Sequence, residues 1–202
     1  MPEITSAPLI LCLVAVLGYL LGSIPFGIVI TRAMGLGDLR SIGSGNIGAT
    51  NVLRTGNKGA ALATLLLDAA KGGIAVLIAR FGAGEDAAQL AGLCAFLGHL
   101  FPIWLGFRGG KGVATFLGIL IALAWPVGLA ACATWAMVAA ITRISSLSAL
   151  VSAALSGLWL FVFDQGRMLV LIFILTMLVY VRHWANLQRI KAGTEPKIGA
   201  QN

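Results

Sequence analysis

LILCLVAVLGYLLGSIPFGIVIT, residues 9–31, runs without a single charged side chain. About 20 helical residues cross a hydrocarbon core about 30 Å thick, so this stretch is long enough to span a bilayer. It does not read as a removable leader. The N-terminal MPEITSAPL, which ends on Leu9, lacks a positive n-region, and the apolar run passes into polar sequence without an A-x-A-like site. The same pattern recurs along the chain. Of 202 residues, 59% are hydrophobic and only 10% charged, against about 25% charged in soluble domains. The mean hydropathy is +0.97. The runs of Leu, Ala, Val and Ile are continuous and do not alternate, which excludes a transmembrane β-barrel. The expected fold is an all-α integral membrane protein, a single domain over residues 1–202.

Seven transmembrane helices are expected, at 9–31, 59–81, 88–106, 112–125, 127–142, 148–163 and 168–184. The fourth and fifth meet at Trp125-Pro126, and the alternative there is one long kinked helix, because membrane helices tolerate proline. Cations decide between the two, since cytoplasmic loops collect Lys and Arg. Seven spans put 11 of the 14 Lys and Arg on one side: Arg32, Arg40, Arg54, Lys58, Arg108, Lys111, Arg143, Arg182, Arg189, Lys191 and Lys197. Arg80 and Arg167 fall on the other side, and Lys71 lies within a helix. Six spans would leave no bias. The N-terminus is therefore expected outside and the C-terminus in the cytoplasm. Cys12, Cys94 and Cys132 each lie within an apolar run, far apart, and read as packing residues and not as a metal or disulfide set.

This topology gathers four polar stretches on the cytoplasmic face: SGNIGATNVLR (44–54), GHLFPIWLGFRGGKGVAT (98–115), RISSLS (143–148) and RHWANLQRIKAGTE (182–195). Only Asp38 and Glu195 oppose the cations there. The positive-inside rule accounts for Arg32, Lys191 and Lys197, but not for the accompanying Gly, Ser, Thr and Asn. The glycines at 43, 45 and 48 match G-x-G-x-x-G, yet that fingerprint carries meaning only in a soluble βαβ unit. Glycine-flanked cations present backbone N–H donors and a charge to one anion, and FRGGKG has that form. It is not a Walker A loop, because position 105 is Leu and Gly112 stands where the metal-binding hydroxyl would be. Ser145 and Ser146 open the sixth span, as caps or as donors to a phosphate. Continued helix would set Arg182, His183, Asn186 and Arg189 on one face. Asp68 and Lys71, at i,i+3 inside the second span, neutralise each other. His99 reads as a structural hydrogen-bonding group. Together the four stretches point to one site for phosphorylated ligands.

At these residues the chain resembles the bacterial acyl-phosphate:glycerol-3-phosphate acyltransferases. Three signatures occur in order: S-G-N-x-G-A-T-N-x-x-R at 44–54, G-H-x-F-P…G-G-K-G-x-A-T at 98–115 and H-x-x-N-x-x-R…G-x-E at 183–195. DAAKGG at 68–73 also fits. The resemblance implies a seven-helix enzyme of the bacterial inner membrane with its active site facing the cytoplasm. It would move a fatty acyl group from acyl phosphate to glycerol 3-phosphate, giving lysophosphatidic acid, the first step of phospholipid synthesis. Carried over by position, Ser44, Lys111 and His183 are the implied catalytic residues, with Arg54 and Asn186 on the glycerol phosphate. Asn46, Thr50, Gly110, Ser145 and Ser146 are the implied wall around the acyl-phosphate head. No metal or other cofactor is implied, and no nucleic acid. The implied partners are the two substrates, the bilayer and the soluble enzyme that forms acyl phosphate.

The chemistry needs a stabilised oxyanion, which Lys111 or nearby N–H groups supply, and an acceptor for the hydroxyl proton. His183 and a substrate phosphate oxygen are both candidates for the acceptor. Neither histidine carries the H-x-x-x-x-D partner of thioester-using acyltransferases, because position 104 is Trp and position 188 is Gln. An activated mixed anhydride makes that dyad dispensable. A transporter or channel for organic phosphates is the rival reading, but it would gather its polar groups near the bilayer midplane. A CDP-alcohol phosphotransferase would need clustered aspartates, and Asp38 and Asp68 stand apart.

Overall fold

The computed structural model describes residues 2–199. Among the described residues ten α-helices follow one another: α1 (Pro8–Gly22), α2 (Phe26–Ala33), α3 (Ala49–Val52), α4 (Lys58–Ala83), α5 (Glu85–Leu100), α6 (Val113–Leu123), α7 (Trp125–Thr142), α8 (Ser145–Val162), α9 (Leu169–Arg182) and α10 (Trp184–Lys191). Five segments are long and apolar enough to cross a membrane: Pro8–Ala33, Lys58–Ala83, Glu85–Leu105, Trp125–Thr142 and Ser145–Val162. The pair Gly166–Arg182 and Trp184–Lys191 supplies a sixth if taken as one span, although it bends by 61°. Large apolar side chains such as Ile78, Phe81, Phe161 and Phe173 project outward from these helices, as suits a protein whose solvent is lipid. The chain is a multi-pass α-helical membrane protein.

The spans differ from the sequence-based expectation in three places. Residues 9–31 form two helices, because Pro25 brings no N–H to the α1 ladder. Ser23 N and Ser23 Oγ both donate to Tyr19 O, at 2.9 and 2.8 Å, and close the last turn of α1. The expected span 112–125 shrinks to the 11 residues of α6, about 16 Å at 1.5 Å per residue. Arg80 explains the stop. Its guanidinium donates to Ala122 O (2.6 Å) and Leu123 O (3.0 Å), capping the end of α6, while Glu85 holds it at 2.9 Å. The chain then reverses into α7, so α6 and α7 form a hairpin and not one kinked helix. Finally, the helix through Arg182 does not continue, but breaks at His183. Cys12 is exposed on the outer face of α1, whereas Cys94 and Cys132 are partly buried.

Association of membrane helices relies on close backbone approach, because lipid offers no hydrophobic drive. Small residues provide it here. Gly18 and Gly22 of α1 meet Ala91 and Ala95 of α5, and Gly128 of α7 meets Ile121 of α6. Gly118 of α6 lies against the backbone of Ala69 in α4, so that a Cβ there would overlap the Ala69 carbonyl. Around these contacts Phe96, Phe116, Ile119, Leu120, Ile172 and Leu175 form the main core. Gly118→Val should therefore force α6 from α4 and cost about 1–3 kcal/mol. Thermal unfolding in detergent should show the lowered midpoint, with Gly157→Ala, which meets open space, near wild type.

Candidate active site

A cavity of about 760 Å³ opens where α3, α4, α6, α8 and α10 converge. Its two halves differ in chemistry. Leu65, Leu66, Leu117, Ile121 and Trp135 line an apolar arm between helices, while Ser44, Arg54, Lys111, His183 and Asn186 line a polar, cationic end. Asn46, Thr50, Ser145 and Ser146 lie in the same wall. Gly110 is set behind that surface.

Asn51, which the sequence reading left unassigned, organises the first polar loop. It is 2% exposed, and its amide donates to the carbonyls of Leu39, Ile42 and Asn46 at 2.8–3.0 Å. Its Oδ1 accepts from Ser44 N at 3.2 Å. One side chain thereby folds residues 39–46 into a cradle, with Arg54 passing beside Gly43. Across the cavity Thr50 Oγ1 and Ser145 Oγ are 3.1 Å apart. Ser145 and Ser146 are not caps: the N-cap position of α8 falls on Ile144.

Glu195 is the second residue whose place emerges only in three dimensions. Its carboxylate accepts from Ser146 Oγ (2.7 Å), Arg189 Nε (2.7 Å) and Asn186 Nδ2. Burial alone would raise its pKa, but these donors and the Arg189 charge outweigh burial and hold it below the usual range. Asn186 in turn accepts from Lys111 Nζ through Oδ1. Lys111 is thus aimed by an uncharged partner, and burial pushes its pKa down to about 8 despite the nearby Glu195. The segment Pro196–Gly199 closes one side of the cavity, with Ile198 N donating to Arg143 O at 2.6 Å.

The bend at His183 sorts the four polar residues that continued helix would have aligned. His183, Asn186 and Arg189 line the cavity. Arg182 instead donates to Gly109 O (2.9 Å) and Gly110 O (3.1 Å) and stacks over Phe101, holding the glycine loop from behind. His183 Nδ1 lies 2.8 Å from Val179 O. A carbonyl only accepts, so Nδ1 carries the proton and Nε2 is left as an acceptor in the neutral ring. His99, although lacking a carboxylate five residues on, faces one from another helix. Asp68 Oδ1 of α4 is 3.6 Å from its Nδ1.

A membrane protein of several helices, with a cationic pocket joined to an apolar groove, is the class these features define. A family model described as Glycerol-3-phosphate acyltransferase matches residues 12–193. The Glycerol-3-phosphate acyltransferase of Cereibacter sphaeroides (strain ATCC 17025) is 69% identical over 98% of this chain and 95% of its own. That of Ruegeria pomeroyi is 64% identical over the whole of both chains. The crystal structure of PlsY (YgiH), an integral membrane glycerol 3-phosphate acyltransferase, in its glycerol 3-phosphate form superposes with a TM-score of 0.88. The two are 38% identical over 94% of this chain and 96% of that one. Its lysophosphatidic acid form gives 0.87 at 36% identity, over 94% and 95%. The chain belongs to the glycerol-3-phosphate acyltransferase family. It is an enzyme of phospholipid biosynthesis.

Because the Asn51 side chain joins three loop carbonyls, Asn51→Leu should loosen residues 39–46 while leaving the helical bundle intact. Leu39 O and Ile42 O keep backbone donors in Ile42 N and Gly45 N, while Asn46 O loses its donor at a cost of about 1–3 kcal/mol. Hydrogen–deuterium exchange should quicken in that loop and stay unchanged in α5 and α9.

Proposed function

We propose that the chain transfers a fatty acyl group from acyl phosphate to glycerol 3-phosphate, forming lysophosphatidic acid, at the cytoplasmic face of a bacterial inner membrane. The cavity's division supports this most directly: a soluble dianion needs the cationic end, and an acyl chain needs the apolar arm between α4 and α6. The chain acts as one domain with seven spans, the N-terminus outside and the C-terminus in the cytoplasm. The α6–α7 hairpin favours that count, because it returns Arg143 to the side that holds Lys111.

Arg54, Lys111 and Asn186 bind the glycerol phosphate and the reacting groups, while Asn46, Thr50, Ser145 and Ser146 enclose the acyl-phosphate head, with Gly110 supporting the wall from behind. Ser44 Oγ orients the attacking glycerol. The hydroxyl attacks the acyl carbonyl, and the free Nε2 of His183 takes its proton. Charge growing on the carbonyl oxygen is met by Lys111. The attack forms the ester C–O bond, and the tetrahedral intermediate then collapses by breaking the acyl C–O bond to phosphate, which leaves. A mixed anhydride moves the task from acid–base work to positioning, so acyl-CoA and a covalent acyl-enzyme are not needed. The soluble enzyme that makes acyl phosphate is the expected partner.

Purified protein supplied with acyl phosphate and labelled glycerol 3-phosphate should form lysophosphatidic acid. Comparable turnover with acyl-CoA, or an acylated Ser or Cys trapped from donor alone, would overturn the direct transfer. Uptake of organic phosphate into vesicles without acylation would favour a transporter.

Arg54→Ala and Lys111→Ala should each lower kcat/KM at least about 100-fold, the loss of one charge-assisted contact in a desolvated site. Lys191→Ala should stay near wild type. Titration of Lys111 adds a pH signature. In the empty cavity it is charged below about pH 8, and a bound phosphate raises that value. Ligand binding is therefore full below about pH 8 and weakens as pH rises through the bound-state value. The KM for glycerol 3-phosphate should climb above pH 8, and Lys111→Arg should flatten the climb.

A further inference from the structure

Asp68, Lys71 and His99 take no part in the reaction as described, yet they are built against the loop that carries Lys111. All three are buried, at 2%, 2% and 4% exposure. Lys71 Nζ is 2.8 Å from Asp68 Oδ1 and donates to Ile24 O, 2.7 Å away in the break between α1 and α2. Asp68 Oδ1 lies 3.6 Å from His99 Nδ1. On the far side of the ring, Nε2 abuts Gly110 so closely that a Cβ at that position would overlap it. Gly110 N donates to His99 O and Gly109 N to Leu100 O, each at 3.1 Å. The two residues before Lys111 therefore rest on the His99 ring and on its backbone. Apolar side chains would fill this space without the desolvation that ionisable groups suffer inside a membrane. Packing alone does not account for the cluster.

We propose that His99, oriented by the Asp68–Lys71 ion pair, is a positioning residue that sets the aim of Lys111 through Gly110. The inference rests on the reading of Lys111 as a contact to the phosphate and reacting groups. With the ring in place, Gly109 and Gly110 have one seat, between His99 beneath and the Arg182 guanidinium behind. Removing the ring opens a gap beneath Gly110, and the loop relaxes into it. A displacement of about 1 Å at a reacting group costs about 100-fold in rate.

A double-mutant cycle on the purified full chain tests this. His99→Asn and His99→Ala are made alone and in a Lys111→Ala background. Transfer from acyl phosphate is assayed together with the thermal shift that glycerol 3-phosphate produces. Each His99 variant should lower kcat/KM at least about 30-fold in the wild-type background but less than about 3-fold once Lys111 is gone, because coupled residues are not additive. His99→Asn should lose the thermal shift as Lys111→Ala does. Equal losses in both backgrounds, unchanged kinetics, or failure of both His99 variants to insert would overturn the proposal, leaving His99 a packing residue. If wild type bound glycerol 3-phosphate but did not use acyl phosphate, the donor assignment would fail. The thermal shift alone would then decide the role of His99.

Discussion

The ion pair of Asp68 and Lys71 ties one turn of α4 to the α1–α2 break and to His99 of α5. Inside a membrane neither charge is tolerable alone, so the two groups must stay together and every neighbour must accommodate them. Lys71 reaches the break between α1 and α2 through Ile24 O. The backbone of Asp68 accepts from Thr115 of α6, 2.9 Å away, and its carboxylate faces His99 of α5. Four helices and the glycine loop thus take their positions from one helical turn of α4.

Around that anchor the protein meets two incompatible solvents. Its outer face is Leu, Ile and Phe, while the cavity carries a dense set of donors. Cations brought this close repel each other, and Glu195 relieves the repulsion by accepting from Arg189 while sharing Asn186 with Lys111. Arg182 is turned away to grip the Gly109 and Gly110 carbonyls. The polar end is consequently a fixed array of donors and not a diffuse basic patch, which is what electrostatic stabilisation of a developing charge requires.

Short helices and breaks carry the polar residues, and long helices carry the load. The α1–α2 break and the bend at His183 both lie where a spanning helix would otherwise pass through. Irregular backbone at membrane depth is tolerated only where protein or a water-filled cavity satisfies it. Here Lys71 at Ile24 O and Arg80 at Ala122 O provide that satisfaction by side-chain hydrogen bonds.

Composition and run length alone determined that the chain is an all-α membrane protein, because a long uncharged run has few other fates in water or lipid. The polar signatures, read against that background, also marked Ser44, Arg54, Lys111, His183 and Asn186, which do come together on one cavity. Local spacing could not foresee the contributions that cross the chain. Asp68 meets His99 from a different helix, Glu195 folds back to Ser146, and Asn51 ties its own loop through three carbonyls without any periodic spacing. Nor could it show that Arg182 and His183, adjacent in sequence, face different ways, because the 61° bend between α9 and α10 breaks the 3.6-residue period on which such readings rest. Periodicity and hydropathy report one element at a time. Which charges share a site is decided by close helix packing at glycines, and by the requirement that each buried polar group find a partner.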